Sequence, residues 1–307
     1  MSLHQDKIEK LVAIARLYYE ENKNQHEIAK IMGISRPLIS RYLSEAREYG
    51  IVKIQIQNPI TERKLILDKL QEKYGLRGGM VVETRNHVVD TNWNIAGAVI
   101  EGLCQVENMS IGMGWGSIMG NIVARLEREP VRKLHTKVYP LVADSGVFNR
   151  DYHTNDIVRK VAEKTGGQAV SWYAPAFVDS PEEMKRMKEL DNYKEIAAGW
   201  KSVKVAFVNI GNYPSVPDFA TAASYGSRLT EQKAVGKLLS YYYDIHGHII
   251  KPDMDCTMQI PIEVLSKRKY VVGVCAANVS PKAMMGALKT GILTHIVASK
   301  EILEELI

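Results

Sequence analysis

Apolar residues recur every three or four positions through the first fifty residues, a spacing that predicts amphipathic helices. Three helices are predicted, over Asp6–Glu20, over Gln25–Met32, and from Ser35 to Gly50. Ser35 is a favourable N-cap residue, Pro37 falls in the first turn where its missing N–H does no harm, and Gly50 can take the left-handed conformation that ends a helix. The N-terminal region is therefore predicted to be helical.

The next segment, Ile51–Gln57, alternates between apolar and polar residues, which predicts a short strand beside the helices. Asn58 and Pro59 then favour a turn, so we place the end of the first domain there, at residues 1–59. Thr61–Tyr74 is predicted to be a charged amphipathic helix that connects the domains or pairs two subunits.

The pattern changes in the remaining residues, 60–307, where short β-branched runs alternate with helical stretches. The predicted strands are Met80–Glu83, Lys137–Tyr139, Val203–Ile210, Tyr270–Cys275 and His295–Ala298. Alternation of this kind is typical of a mostly parallel sheet covered by helices. We therefore predict the α/β class, with a helical N-terminal domain followed by a larger C-terminal domain built on a mostly parallel sheet.

Three residues inside the helical region have the spacing of a helix-turn-helix. Ala29 is small enough to let two helices cross closely, Gly33 can adopt the positive φ of a tight turn, and Ile39 can fill the angle between the helices. The second helix of this motif enters the major groove of DNA. The spacing therefore predicts that residues 1–59 form a helix-turn-helix DNA-binding domain.

The predicted DNA contacts lie on the outward side of the third helix and at the start of the second. Their side chains suit phosphate oxygens and base edges. They are Gln25, Ser35, Arg36, Pro37, Ser40, Arg41, Ser44 and Arg47. Arg36 and Arg41, near the start of the third helix, are the leading candidates. Each arginine could instead lie on a solvated helix face or, as with Arg41 and Glu45, form an intrahelical ion pair.

Composition narrows the class of protein. The 307 residues allow about two domains, and 46% hydrophobic with 24% charged residues is typical of globular chains. The net charge of +5 permits an anionic partner. Three cysteines without a Cys-x-x-Cys pair argue against a disulfide framework and a thiolate metal site. No apolar run suits a membrane span or a signal peptide, so we predict a cytoplasmic protein. We also predict that it needs no metal or cofactor.

A glycine-rich loop, Ser110–Ser117, joins an apparent strand to a helix predicted over Ile118–Leu126. Such loops commonly bind anions at the helix N-terminus, and open parallel sheets bind ligands at the carboxyl ends of their strands. The loop lacks the glycine spacing of a dinucleotide site and the Gly-Lys-Ser of a nucleotide P-loop. It is either part of a ligand site or a place where glycines allow close backbone approach.

With both halves in view, the sequence resembles the SorC/DeoR-type sugar-responsive transcriptional regulators of bacteria over nearly its whole length. The matching segments are Ala15–Tyr19, Ile28–Arg36, Ile39–Arg41, Ala46–Val52, Gly112–Gly116, Ala234–Gly236 and Tyr243–Gly247. The resemblance implies a homotetramer that binds operator DNA and a small-molecule effector, namely a sugar, polyol or sugar phosphate. It also implies a C-terminal effector-binding and oligomerisation domain, residues 60–307, similar in fold to ribose-5-phosphate isomerase and glucosamine-6-phosphate deaminase.

The sequence departs from the family pattern where the phosphate usually sits. Ile118 replaces a threonine, Ala143 and Asp144 replace one pair of glycines, and Ala276 and Ala277 replace another. These changes remove bare backbone and a hydroxyl from a phosphate cradle, and the Asp144 carboxylate would repel a dianion. An unphosphorylated sugar or polyol, or another small metabolite, is therefore the predicted effector.

The predicted effector contacts come from the glycine loop and from positions that the resemblance places near the ligand. They are Gly112, Gly114, Trp115, Gly116, Ser117, Asp144, Ser145, Asp244, Ser280 and Lys282. Asp144 and Asp244 are expected to accept hydrogen bonds from ligand hydroxyls. The alternatives are a surface or capping role for Asp144 and a turn role for Asp244 before Gly247.

Two other functions stay open. An enzyme is the main rival because the implied fold also carries isomerases and deaminases, although a fold does not supply chemistry. No Ser/His/Asp catalytic spacing is apparent, and His246 with His248 is more typical of a polar turn than of a metal pair, so we predict no catalytic or metal site. The third interpretation is a regulator with a degenerate sensor that answers to a protein partner or to nothing.

Overall fold

The computed structural model describes residues 3–54, 59–144, 153–214, 224–252 and 254–307. The chain divides into two compact units, Met1–Pro59 and Ile60–Ile307. No helix among the described residues is long and apolar enough to cross a membrane.

The described part of the N-terminal unit is helical. Its helices are α1 (Leu3–Tyr19), α2 (Gln25–Met32) and α3 (Arg36–Glu48). Four apolar side chains, supplied by all three helices, form the central cluster: Ile14, Ile28, Ile39 and Leu43. Each is at most 4% exposed, so burial of this small cluster stabilises the packing of the three helices. The predicted helices are confirmed, and α1 starts at Leu3 rather than at Asp6.

A tight turn at Gly33 links α2 to α3. Gly33 has a φ of 65°, in the left-handed region that favours glycine, and it ends α2. The Ile34 amide then donates a hydrogen bond to the Ala29 carbonyl at 3.1 Å. Ala29 in α2, Gly33 in the turn and the buried Ile39 in α3 thus have the structural positions that their spacing predicts.

The predicted strand Ile51–Gln57 is wrong over its described part. Residues 51–54 form no strand, and residues 55–57 lie outside the described residues. The Val52 amide instead donates to the Ala46 carbonyl at 3.1 Å. The side chains of Val52 and of the residue before it pack against apolar residues of α1 and α3. Their apolar side chains therefore cover apolar residues of two helices.

The C-terminal unit alternates helices with strands. Helix α4 (Pro59–Tyr74) begins at the boundary between the units. The helices that follow are α5 (Val88–Leu103), α6 (Ser117–Leu126), α7 (Thr154–Thr165), α8 (Pro181–Glu189), α9 (Asp191–Ser202), α10 (Arg228–Glu231), α11 (Ile262–Leu265), α12 (Pro281–Lys289) and α13 (Lys300–Glu304). The strands are β1 (Gly78–Val82), β2 (Ser110–Met113), β3 (Lys137–Pro140), β4 (Gln168–Ala169), β5 (Val205–Asn212), β6 (Gly236–Leu238), β7 (Tyr241–Tyr243), β8 (Tyr270–Cys275) and β9 (His295–Ser299).

The strands of the described residues form one sheet. The main row has the order β1-β9-β8-β5-β2-β3-β4, and every neighbouring pair in it is parallel. A hairpin of β6 and β7 joins this row through an antiparallel pairing of β6 with β5. The predicted α/β class with a mostly parallel sheet is confirmed, and each predicted strand overlaps an observed one. The comparison with isomerase and deaminase folds stays a prediction.

The direction in which the chain winds changes between β2 and β5. From β2 the chain proceeds outward to β3 and β4, whereas from β5 it proceeds the other way to β8 and β9. Neighbouring parallel strands whose connections leave in opposite directions open a crevice outside their carboxyl ends, and ligands of open α/β sheets bind there. In this chain those ends are Met113 of β2 and Asn212 of β5.

One large apolar core holds the strands in place. Trp172 and Trp200 are each 1% exposed, and their ring centroids lie 5.3 Å apart in an edge-to-face arrangement. The Trp200 indole N–H donates to the carbonyl of Pro140, the last residue of β3, at 2.8 Å. This bond fixes the carboxyl end of β3, which is the neighbour of β2 in the sheet.

Candidate functional site

The predicted DNA contacts of the N-terminal unit lie mainly on one exposed side of α3. Most of them are exposed: Ser35, Arg36, Pro37, Ser40, Arg41 and Arg47. Ser44 and Gln25 are half-buried. Ser35 precedes α3 as its N-cap residue, but its side chain makes no capping hydrogen bond. The N-terminus of α3 therefore has backbone N–H groups that a phosphate oxygen can accept from.

The arginines on this side of α3 differ in their partners. Arg41 Nε lies 2.9 Å from Glu45 Oε1, and Lys7 Nζ lies 2.7 Å from Glu45 Oε2. The hydrogen bond from Lys7, together with Arg41, lowers the pKa of Glu45 below its ordinary value. Arg36 makes no ion pair with any residue that the structure describes. Arg36 is thus available to DNA as it stands, whereas Arg41 must leave or share Glu45.

A cavity of about 180 Å³ lies at the carboxyl ends of β2, β5 and β8, and we call it the switch-point cavity. The described residues that line it are Trp115, Gly116, Ser117, Ile118, Asn209, Ile210, Gly211, Asn212, Lys237, Ala276, Asn278 and Val279. Its position is the one that the winding of the sheet favours for a ligand. None of these lining residues is acidic.

A larger cavity, of about 350 Å³, lies at the opposite ends of the strands. Val205, Phe207 and Val272 contribute to a lining that is mostly apolar. A polyhydroxy ligand needs several convergent polar groups. More polar side chains line the switch-point cavity than the larger cavity, so the smaller one is the better candidate.

The glycines of the loop after β2 have different roles. A Cβ at Gly112 would overlap the Leu141 side chain, and one at Gly114 would lie 2.8 Å from Asn209 Oδ1. These two glycines allow close packing and do not line the switch-point cavity. Gly116 does line it, and its φ of 91° is one that side chains rarely adopt.

Helix α6 directs its N-terminus towards the switch-point cavity. Gly116 is the N-cap residue, and no side chain caps the helix. The first N–H groups of a helix have no acceptor within the helix, and the helix dipole makes this end positive. Ser117, the first residue of α6, is exposed and lines the cavity. This end of the cavity can therefore donate hydrogen bonds to a ligand oxygen.

The structure does not bring Asp144 to the switch-point cavity. Its backbone N–H donates to the Ala174 carbonyl at 3.2 Å, and its carbonyl accepts from Ala176 at 2.8 Å. His153 Nδ1 lies 3.1 Å from Asp144 Oδ1. Ser145 lies outside the described residues. Because Asp144 is not among the described lining residues, the repulsion of a dianion expected from its carboxylate does not apply to this cavity.

Asp244 also has partners outside the cavity. Its carboxylate accepts hydrogen bonds from the backbone N–H groups of His246 at 2.8 Å and of His248 at 2.9 Å, and the His248 ring lies 3.0 Å away. Burial raises the pKa of Asp244, but these hydrogen bonds outweigh it and hold the pKa below its ordinary value. Asp244 thus organises the turn around Gly247, the alternative role stated for it above.

Ser280 and Lys282, at the start of α12, do not line the switch-point cavity. The Ser280 hydroxyl caps α12 by accepting from the Ala283 N–H at 3.2 Å. The Ser280 N–H donates to Asn212 Oδ1 at 2.7 Å, and this bond ties the loop after β8 to the end of β5. Lys282 is exposed. Of the predicted effector contacts, the structure brings together Trp115, Gly116 and Ser117.

Sequence reasoning missed the polar residues that β5 and the hairpin supply. Asn209 is 8% exposed, and its Oδ1 accepts from the Trp115 backbone N–H at 3.4 Å. Lys237 on β6 is 7% exposed and lines the same cavity. Asn209 and Asn212 fall at the end of a predicted strand, so the rule that ligands bind at carboxyl ends could have found them. Lys237 gives no such signal because only the pairing of β6 with β5 brings it there.

Comparison with known proteins places the chain in a family. Residues 58–307 match the family model Sugar-bind, which describes a sugar-binding domain. The chain belongs to this sugar-binding family. This member of the family is 28% identical to the sorbitol operon regulator of Klebsiella pneumoniae over 312 residues, 98% of each chain. It is 26% identical to the deoxyribonucleoside regulator of Bacillus subtilis over 289 residues, 90% of each. The resemblance to SorC/DeoR-type regulators is confirmed.

Solved structures of the same kind superpose on this member of the sugar-binding family. The full-length sorbitol operon regulator SorC from Klebsiella pneumoniae has a TM-score of 0.72 at 26% identity, covering 97% of this chain and 98% of that one. A sugar-binding domain of a transcriptional repressor from Vibrio fischeri has a TM-score of 0.68 at 20% identity, covering 79% of this chain and 97% of that one. The second likeness shows the fold alone.

Proposed function

We propose that the chain is a DNA-binding transcriptional regulator whose affinity for operator DNA is controlled by a small carbohydrate-type metabolite. One observation carries the proposal: a single chain joins an exposed Arg/Ser side of α3 to a sugar-binding family unit with a polar cavity at its switch point. Relatives that match nearly the whole chain are named as regulators of a sorbitol operon and of deoxyribonucleosides.

In this proposal α3 is the recognition helix. Arg36 and Arg41, with Ser40, reach base edges in the major groove, while Ser35, Pro37, Ser44, Arg47 and Gln25 lie against the sugar-phosphate backbone. The proposed assembly is a homotetramer in the cytoplasm, which places pairs of recognition helices on a palindromic or near-palindromic operator, with half-sites one or more helical turns apart.

The proposed effector site is the switch-point cavity. Trp115, Gly116 and Ser117 present one wall, and Asn209 with Lys237 presents another. We propose recognition without turnover, because binding needs only these positioned donors and acceptors, and because the relatives are named as regulators.

Fluorescence anisotropy on DNA from upstream of the chain's own gene tests the proposal. We expect the full chain to prefer this DNA to unrelated DNA, and Arg36→Ala to reduce that preference at every salt concentration in a series. Arg186→Ala, an exposed arginine of α8 in the C-terminal unit, is the matched control and should bind as the native chain does. Weak and equal binding to all DNA would overturn the proposal.

A further inference from the structure

Lys237 places a cationic side chain in the wall of the switch-point cavity. It lies on β6, where its Cα is opposite Gly211 of β5 and Tyr242 of β7. Gly211 has no side chain, and a Cβ there would contact the Lys237 chain at 3.2 Å, so this glycine leaves room for the lysine stem. Burial of a lysine is rare in proteins, which makes its position at a ligand cavity informative.

Two aromatic rings surround the Lys237 ammonium group. Its Nζ lies 5.2 Å from the centroid of the Trp115 ring and 5.9 Å from that of Tyr242. A cation over the face of an aromatic ring is attracted by the ring quadrupole. Trp115 and Tyr242 therefore help to hold the end of the Lys237 side chain at the cavity wall.

Trp115 contributes an independent observation. It is 6% exposed, and its indole N–H is buried without a hydrogen-bond partner among the described residues. An indole N–H can only donate, and a buried donor without an acceptor is unfavourable. Trp115 lines the switch-point cavity, so this donor without an acceptor belongs to a residue of the cavity wall.

The rest of the described lining also favours a ligand that carries negative charge or hydrogen-bond acceptors. The uncapped N-terminus of α6 is positive, the asparagines are neutral, and no lining residue is acidic. Asn212 is held by Ser280 and Asn278 and so positions the loop. The described wall thus offers positive charge and donors to the ligand and presents no carboxylate to repel an anion.

We infer that Lys237 is the residue that determines the charge specificity of the switch-point cavity, and that it binds an anionic group, carboxylate or phosphate, on a polyhydroxy metabolite. Lys237 and the Trp115 indole N–H donate to this group. The inference rests on the proposed function for the identity of the cavity as the effector site, and it replaces the expectation of an uncharged polyol.

The test compares ligands that share a carbon skeleton and differ in charge. The full chain is titrated by calorimetry with hexitols, hexitol 6-phosphates, hexonates and inorganic phosphate, beside Lys237→Met, which keeps the length of the side chain and removes its charge. Lys204→Met, an exposed lysine before β5, is the matched control. We expect either the 6-phosphates or the hexonates to bind the native and control chains at least about tenfold more tightly than the hexitols do. Lys237→Met should abolish that difference in affinity.

The two sources of the anion give separate results, because a preference for the 6-phosphates identifies phosphate and a preference for the hexonates identifies carboxylate. If Lys237→Met does not fold, Trp115→Phe is used in its place. This variant removes only the indole N–H and the second ring, and it should weaken the binding of the anion without weakening that of the hexitols. Equal affinity for hexitols and anions, binding that survives in both variants, or no binding by any anion would overturn the inference.

DNA binding measured in the same samples separates this inference from the proposed function. An uncharged hexitol that changes DNA affinity would overturn the charge assignment and leave the regulator standing. Tight, Lys237-dependent anion binding that never changes DNA affinity would support the charge assignment and count against the regulator.

Discussion

In the N-terminal unit, a few buried side chains hold three helices, and the candidate DNA contacts lie on the outside of the last one. In the C-terminal unit, the candidate ligand contacts come from β5, β6, α6 and the loop after β8, and Asn209 and Lys237 are themselves buried. A contact on an exposed helix can change without cost to the fold, whereas a contact in a crevice between strands is also a packing residue. The units should therefore respond differently to substitution.

The largest expected effect is that of Ile39→Ala. Ile39 is fully buried in the small apolar cluster of the N-terminal unit. Truncating such a residue costs about 2–5 kcal/mol, a large share of the stability of a small unit. Circular dichroism in urea measures the early phase of unfolding, in which helix is lost. We expect this phase to move to much lower urea concentration and specific DNA binding to be lost.

Ile31→Ala is the control for this substitution. Ile31 is the same residue type, lies in the same unit and is 57% exposed. Its replacement should leave unfolding and DNA binding nearly unchanged. Equal destabilisation by both variants would show that the N-terminal unit does not depend on the cluster that contains Ile39.

A smaller effect is expected of Gly112→Ala in the C-terminal unit. An added methyl group would overlap Leu141 in the core, and overpacking of this kind costs about 1–3 kcal/mol. The Tm of the C-terminal unit should fall accordingly in calorimetry. Gly102→Ala, near the end of α5, has open space around the new methyl group and should leave the Tm equal or higher.

Cysteine reactivity tests how closed the C-terminal unit is. Burial raises the pKa of the Cys275 thiol to about 12, so almost no thiolate exists at pH 8. Iodoacetamide followed by peptide mass spectrometry should label the partly exposed Cys104 first and Cys275 only after unfolding. Because all three cysteines lie in the C-terminal unit, Ile39→Ala should leave Cys275 protected. Early labelling of Cys275 in that variant would contradict separate unfolding of the units.

The smallest effect concerns pH. The lowered pKa of Asp244 means that its carboxylate stabilises the fold above the ordinary aspartate pKa, and that this contribution is lost as pH falls through the lowered value. Asp244→Asn should therefore be less stable than the native chain near neutral pH, and the difference should vanish in acid. Asp191→Asn, a fully exposed position, is the control and should give a smaller difference. A difference that persists unchanged in acid would contradict the assignment.

The helices of the N-terminal unit could be predicted because each signal is local. The spacing of apolar residues predicts the helices, and Gly33 marks the turn within the same short segment. The prediction of a strand at Ile51 and Val52 is wrong because an alternating pattern does not say which surface the apolar residues cover. Their actual partners are apolar residues of α3, close to them along the chain, and of α1, far from them.

The parallel sheet could also be predicted, since a buried strand such as Tyr270–Cys275 carries its β-branched residues together. The order of the strands could not, because the parallel neighbours of β5, which are β2 and β8, come from distant parts of the sequence. The part of the candidate site that comes from β5, β6 and the loop after β8 depends on that order. Trp115 and Gly116 lie in a recognisable glycine loop, but Lys237 reaches the cavity through the antiparallel pairing of β6 with β5.

That pairing has a consequence for how such a sensor can evolve. Among the described residues, the hairpin that carries Lys237 pairs with the main row of strands through the last three residues of β5. Lys237 lines the switch-point cavity, so its side chain contributes directly to the charge of the cavity wall. Every lysine codon becomes a glutamate codon by one nucleotide change, so a single mutation at position 237 is enough to reverse the charge that the cavity presents to its ligand.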